Sequence, residues 1–68
     1  MSRTSPDSAS VRRLDGGEVV VDYGLTWYRV NLDGSIIRKD ASTSGVSRRN
    51  ATALECKKVN KAISEAGL

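Results

Sequence analysis

Short runs of β-branched and aromatic side chains, separated by tight-turn signals, dominate the middle of this chain. Residues 18–23 (Glu-Val-Val-Val-Asp-Tyr) and 26–32 (Thr-Trp-Tyr-Arg-Val-Asn-Leu) both read as strands. Between them Gly24-Leu25 suits a two-residue type II′ turn, with glycine first. Asp33-Gly34 is a type I′ signal between Leu32 and Ser35, and residues 35–40 follow as a third strand.

The two turns predict two registers. Across the first, Val21 opposes Tyr28 and Val19 opposes Val30. Across the second, Val30 opposes Ile37 and Tyr28 opposes Lys39. Side chains alternate faces along a strand, so both registers place Val19, Val21, Tyr23, Tyr28, Val30, Leu32 and Ile37 together. The opposite face then carries Trp27, Arg29 and Asn31 on the middle strand, with Val20, Asp22, Ile36, Arg38 and Asp40 beside them. That mixed polar, aromatic and basic surface is unfit to be a second hydrophobic core.

The apolar period changes after residue 45. Thr52, Cys56, Val59, Ala62, Ile63 and Ala66 recur at helical spacing, which predicts a helix from an N-cap at Ser47 to about Ala66, stopped by Gly67. Glu55 sits close to the centre of this stripe and breaks it, unless it pairs with Arg48 or Lys58. Upstream, residues 1–10 are small and polar and read as a disordered tail, while residues 11–14 followed by Asp15-Gly16-Gly17 add a weaker strand-and-turn signal. The expected fold is α+β: a three-stranded antiparallel meander with one C-terminal helix on one face, in a single domain over residues 11–68.

Composition narrows the chemistry. One cysteine and no histidine leave neither an internal disulfide nor a zinc ligand set, and Cys56 reads as a small packing residue. No apolar run reaches the roughly 20 residues that span a bilayer, so the expectation is a cytoplasmic protein without membrane association. Without histidine, a close carboxylate pair or a long glycine-rich loop, no catalytic site is expected, nor any metal or other cofactor. The net charge is +3, yet residues 38–61 hold seven basic side chains against two acids, so positive charge gathers in the last strand and the helix.

Arg48 and Arg49 would then sit on the first helical turn, where unpaired backbone N–H groups are already electropositive. A phosphate there would accept those N–H bonds and be clamped by both guanidinium groups. The run Gly45-Val-Ser47-Arg48-Arg49-Asn-Ala51 resembles the end of a double-stranded-RNA-binding domain. The resemblance covers about the final third of the chain, and implies Arg48 and Arg49 as phosphate contacts, Ser47 as the cap and Ala51 packed on the sheet. Lys57, on the polar side of the helix, extends the basic surface. The three-strands-then-helix order is also similar to plant AP2-type and phage-integrase N-terminal DNA-binding domains, which implies that Trp27, Arg29, Asn31 and Arg38 face a major groove.

Two functions follow as expectations. One is a small non-enzymatic protein binding duplex RNA or DNA through the helix start and the sheet face. The other is a protein-binding inhibitor or adaptor, of the kind phages make against CRISPR complexes or other host defences, in which Trp27 and Arg29 form an interface hot spot. The acids Asp22 and Asp40 around Trp27 favour the second. A homodimer, formed by pairing residues 35–40 or 18–23 across a sheet edge, is a third arrangement.

Overall fold

The computed structural model describes residues 9–67. Among them five strands form one antiparallel meander: β1 (Ser10–Arg13), β2 (Val19–Asp22), β3 (Thr26–Val30), β4 (Ile36–Ser42) and β5 (Gly45–Asn50), in the spatial order β1-β2-β3-β4-β5. A helix, α1 (Ala53–Glu65), returns over one face of the sheet. The α+β class with a C-terminal helix is as the sequence predicts, but the sheet has five strands and not three. The tail expected over residues 1–10 falls outside the described residues as far as residue 8, and Ser10 opens β1.

The β2–β3 register matches the expectation, with Val19 opposite Val30 and Val21 opposite Tyr28. The Tyr23 N–H donates to Thr26 O at 2.8 Å across the Gly24-Leu25 loop. The β3–β4 register does not match. Val30 pairs with Ile36 and Tyr28 with Arg38, one residue out of step.

The cause lies in the turn. Asn31 N–H donates to Ser35 O at 2.8 Å and Gly34 N–H to Asn31 O at 2.9 Å, so the loop is the three residues Leu32-Asp33-Gly34. Gly34, at φ +92°, takes the left-handed position that closes such a loop. Asp33 braces it by accepting from Ser35 N at 2.9 Å and Ser35 Oγ at 2.7 Å. A one-residue slip turns every side chain of a strand over. Ile36, Arg38 and Asp40 therefore face the helix, and Ile37 and Lys39 face away from it.

The core lies between sheet and helix. Val21 and Val59 are fully buried and Tyr28 is 1% exposed, with Val19 and Ile36 completing the cluster. Val11, Tyr23, Val30, Ala51, Cys56, Ala62 and Ile63 pack around it, so Cys56 has the packing position expected of it. Leu32, placed in the core by the sequence pattern, is 72% exposed at the tip of its loop.

The helix begins later than predicted. Residues 45–50 pair with β4 along their whole length, so Ser47 is a strand residue and not an N-cap. Thr52 is the cap: its Oγ1 accepts from Glu55 N at 3.2 Å, and Glu55 Oε1 accepts from Thr52 N at 2.9 Å. This reciprocal capping box satisfies two first-turn donors. Ser47 could not build one, because the residue three places on is Asn50. Among the described residues no helix is long and apolar enough to cross a membrane.

The new strands also relocate the sheet edges. Residues 18–23 and 35–40, expected as exposed edges for self-pairing, lie inside the sheet, covered by β1 and β5.

Candidate nucleic-acid interface

The decisive geometry is the β4–β5 ladder. Arg38 lies opposite Arg49, and Lys39 lies opposite Arg48. Like charges directly across a ladder repel, so each pair needs an anion or solvent screening. Adjacent ladder positions point to opposite faces, so one pair sits on the helix side and the other on the open side.

On the helix side the anion is supplied by the chain. Glu55 accepts a bidentate pair from Arg49, Nη1 to Oε1 at 2.9 Å and Nη2 to Oε2 at 3.0 Å, and its Oε2 also takes an N–H from Arg38. Tyr28 Oη donates to the same oxygen at 3.1 Å. Asp40 holds the other side of Arg38, accepting from Nε at 2.9 Å, and takes Thr26 Oγ1 at 2.7 Å.

These bonds set the charge states. Arg49, the Thr52 N–H, Arg38 and Tyr28 together hold the Glu55 carboxyl far below the usual carboxylate range, in spite of its partial burial. Arg38 and Thr26 lower Asp40. Burial raises the Tyr28 hydroxyl, and its bond to Glu55 raises it further.

The site imagined at the helix start is thus present but filled. Two guanidinium groups and a first-turn N–H do converge on an anion there, and the anion is Glu55. Arg49, expected as a phosphate contact, and Arg38, expected to face a major groove, are both committed to it. Arg48 is on β5 and Ser47 is an exposed strand residue opposite Asp40, so neither is on the helix. Lys57 is exposed on α1. The Thr52-x-x-Glu55 spacing was the sequence signal for this helix start.

The open side is different. Cross-strand pairing lines up Ser10, Asp22, Trp27, Lys39 and Arg48 in one row, and Arg12, Val20, Arg29, Ile37 and Asn50 in the next. Trp27 and Arg29 are where sequence reasoning put them. Arg38 and Asp40 have left this face, and Lys39, Arg48 and Arg12 have joined it. Asn31 begins the β3–β4 loop, its Nδ2 donating to Ser35 Oγ at 3.0 Å.

Two acids belong to the open face, and both are engaged. Glu18 Oε2 accepts from Arg29 Nη2 at 3.2 Å, and Asp22 Oδ1 accepts from Gly24 N at 2.7 Å. Among the described residues no acid forms an ion pair with Arg12, Lys39 or Arg48. Val20, between Arg12 and Arg29, is only 7% exposed, which fits the aliphatic stems of long basic neighbours lying over it.

A shallow groove of about 430 Å³ opens on the helix side between Tyr23, Leu25, Thr26, Tyr28, Arg38 and Lys58. Lys58 Nζ lies 4.3 Å from the Tyr23 ring centre and 5.9 Å from that of Tyr28, so a cation already covers its aromatic wall. No protein family, curated protein or solved structure matches this chain.

Proposed function

We propose that this chain is a non-enzymatic nucleic-acid-binding module whose contact surface is the sheet face opposite the helix. The observation that carries the reading is the Lys39–Arg48 pair beside Trp27: two facing cations that no carboxylate among the described residues pairs with. A phosphate between them would relieve the repulsion that Glu55 relieves on the other side of the same two strands. Trp27 beside the pair adds a ring on which a base can stack, which an acidic protein surface would leave unused. The inhibitor reading drew on two acids around Trp27. Only Asp22 remains in that row, and Lys39 stands in the place expected for Asp40.

The test is a fluorescence-anisotropy titration with labelled DNA and RNA, each as a single strand and as a duplex, at about 50 and 200 mM salt. Binding should weaken with salt. In the Lys39→Ala/Arg48→Ala variant the slope of log affinity against log salt should fall by roughly 0.8, the share of the one phosphate held between them. An Arg49→Ala variant should keep the parent slope. No binding at the lower salt, or a double variant with the parent slope, would sink the proposal.

A further inference from the structure

The width of the sheet bears on which nucleic acid fits. Arg12 on β1 and Arg48 on β5 are in the outermost described strands, four strand spacings or roughly 19 Å apart. The major groove of B-form DNA is about 12 Å wide, and that of A-form RNA is narrower still. A duplex groove can admit two or three of these strands. It reaches β3 to β5, with Trp27, Lys39 and Arg48, but not Arg12 on the far margin as well, so the width alone leaves the duplex open and the choice falls to Trp27.

Trp27 supplies the constraint. It lies on β3, the middle of the five strands, half-buried in the row between Asp22 and Lys39. In a duplex both π-faces of every internal base are covered by neighbours, so the ring would gain nothing from stacking. An unpaired base offers a free face.

Resting on the nucleic-acid reading above, we propose that the ligand is single-stranded DNA or RNA. One base stacks on Trp27, and the backbone runs across the strands over Lys39 and Arg48. Lys39 and Arg48 are about one and two strand spacings, roughly 5 and 10 Å, from Trp27 in the same row. A track of that length spans only a few nucleotides, at the short end of the site sizes of single-strand-binding folds. Stacking is tolerant of base identity, so sequence preference should be weak.

Trp27 is the chain's only tryptophan, so its own fluorescence reports the contact. The experiment titrates the full chain with oligothymidylate and oligouridylate, and with a blunt duplex of mixed sequence, following Trp27 emission and anisotropy together. The expected result is quenching by the single strands and at least tenfold weaker binding to the duplex. Trp27→Ala should weaken single-strand binding by about tenfold. Trp27→Phe, which keeps a ring, should recover most of it while showing by its circular dichroism that the sheet is intact. Duplex binding as tight as single-strand binding, or single-strand binding without quenching, overturns this inference and leaves the nucleic-acid reading standing. Binding to neither form at low salt overturns both.

Discussion

Arg38–Arg49 and Lys39–Arg48 are consecutive rungs of one ladder, and they have opposite fates. Both set two cations face to face across about 5 Å of sheet. On the helix side the helix start delivers Glu55 into the gap, and the repulsion becomes a network that ties β4, β5, β3 and α1 together. On the open side no acid of the described residues pairs with Lys39 or Arg48. Arg48 and Arg49 are neighbours in sequence with the same chemistry. The two-residue period of a strand makes one structural and leaves the other available to a ligand.

The contrast depends on the register of β4, and the largest expected effect tests it. Ile36 is 8% exposed and packs with Val21, Tyr28 and Val59, whereas Ile37 lies on the open face. Ile36→Ala should cost about 2–4 kcal/mol, most of what so small a core can supply. Ile37→Ala should cost well under half as much. Urea midpoints of the two variants decide the matter, and a larger loss at Ile37 would mean that the register, and with it the two-faced reading, is wrong.

That register was the part least legible in the sequence. Alternation and turn residues correctly gave β2, β3 and their pairing, because Gly24-Leu25 admits one tight loop. Asp33-Gly34 is compatible with a two-residue and a three-residue loop. The choice between them falls to Asn31 and Ser35, whose hydrogen bonds close the longer one. β5 was invisible for another reason: an edge strand whose side chains are all exposed needs no apolar alternation, so residues 45–50 carry none. The helix face read correctly at Cys56, Val59, Ala62 and Ile63. Its start did not, although Thr52-x-x-Glu55 marks it.

A smaller effect tests the helix-side network. Glu55→Ala leaves Thr52 as the cap but removes the carboxylate half of the box and the anion shared by two arginines, and should lower stability by about 1–2 kcal/mol, or roughly 10 °C in melting temperature for a domain of this size. Glu55→Gln, which can still accept from Thr52 N, should lose less. If both variants melt with the parent, Glu55 is not the internal anion that separates the two rungs.

The same carboxyl gives the molecule a pH dependence. Its folded-state affinity for protons is depressed, chiefly by Arg49 and the Thr52 N–H, so the stability it contributes is fully present above its unfolded value near 4.3. That contribution is lost as pH falls through the much lower folded value. Melting temperature should therefore begin to drop near pH 5 and keep dropping below pH 2. Asp40 acts in the same direction, so the measurement is the difference between the parent and Glu55→Gln, which should shrink as the parent's carboxyl protonates. A constant difference from pH 7 to pH 2 would place the cause elsewhere.

The smallest effect sets the two rungs against each other directly. Arg49→Ala removes a bidentate partner of Glu55 and should lower the melting temperature measurably. Arg48→Ala removes one of two facing cations that no acid among the described residues pairs with. At low salt it should leave the melting temperature unchanged or raise it by a degree or two. Because that gain comes from relieved repulsion, it should fade as salt screens the pair. Inorganic phosphate at the same ionic strength should stabilise the parent more than it stabilises Arg48→Ala, since only the parent retains two cations for the anion to bridge. Melts of the two single variants, in chloride and in phosphate, read both sides of the ladder at once. If Arg48→Ala destabilised as much as Arg49→Ala, the open-side arginine would be structural too, and the face would lose its claim to a ligand.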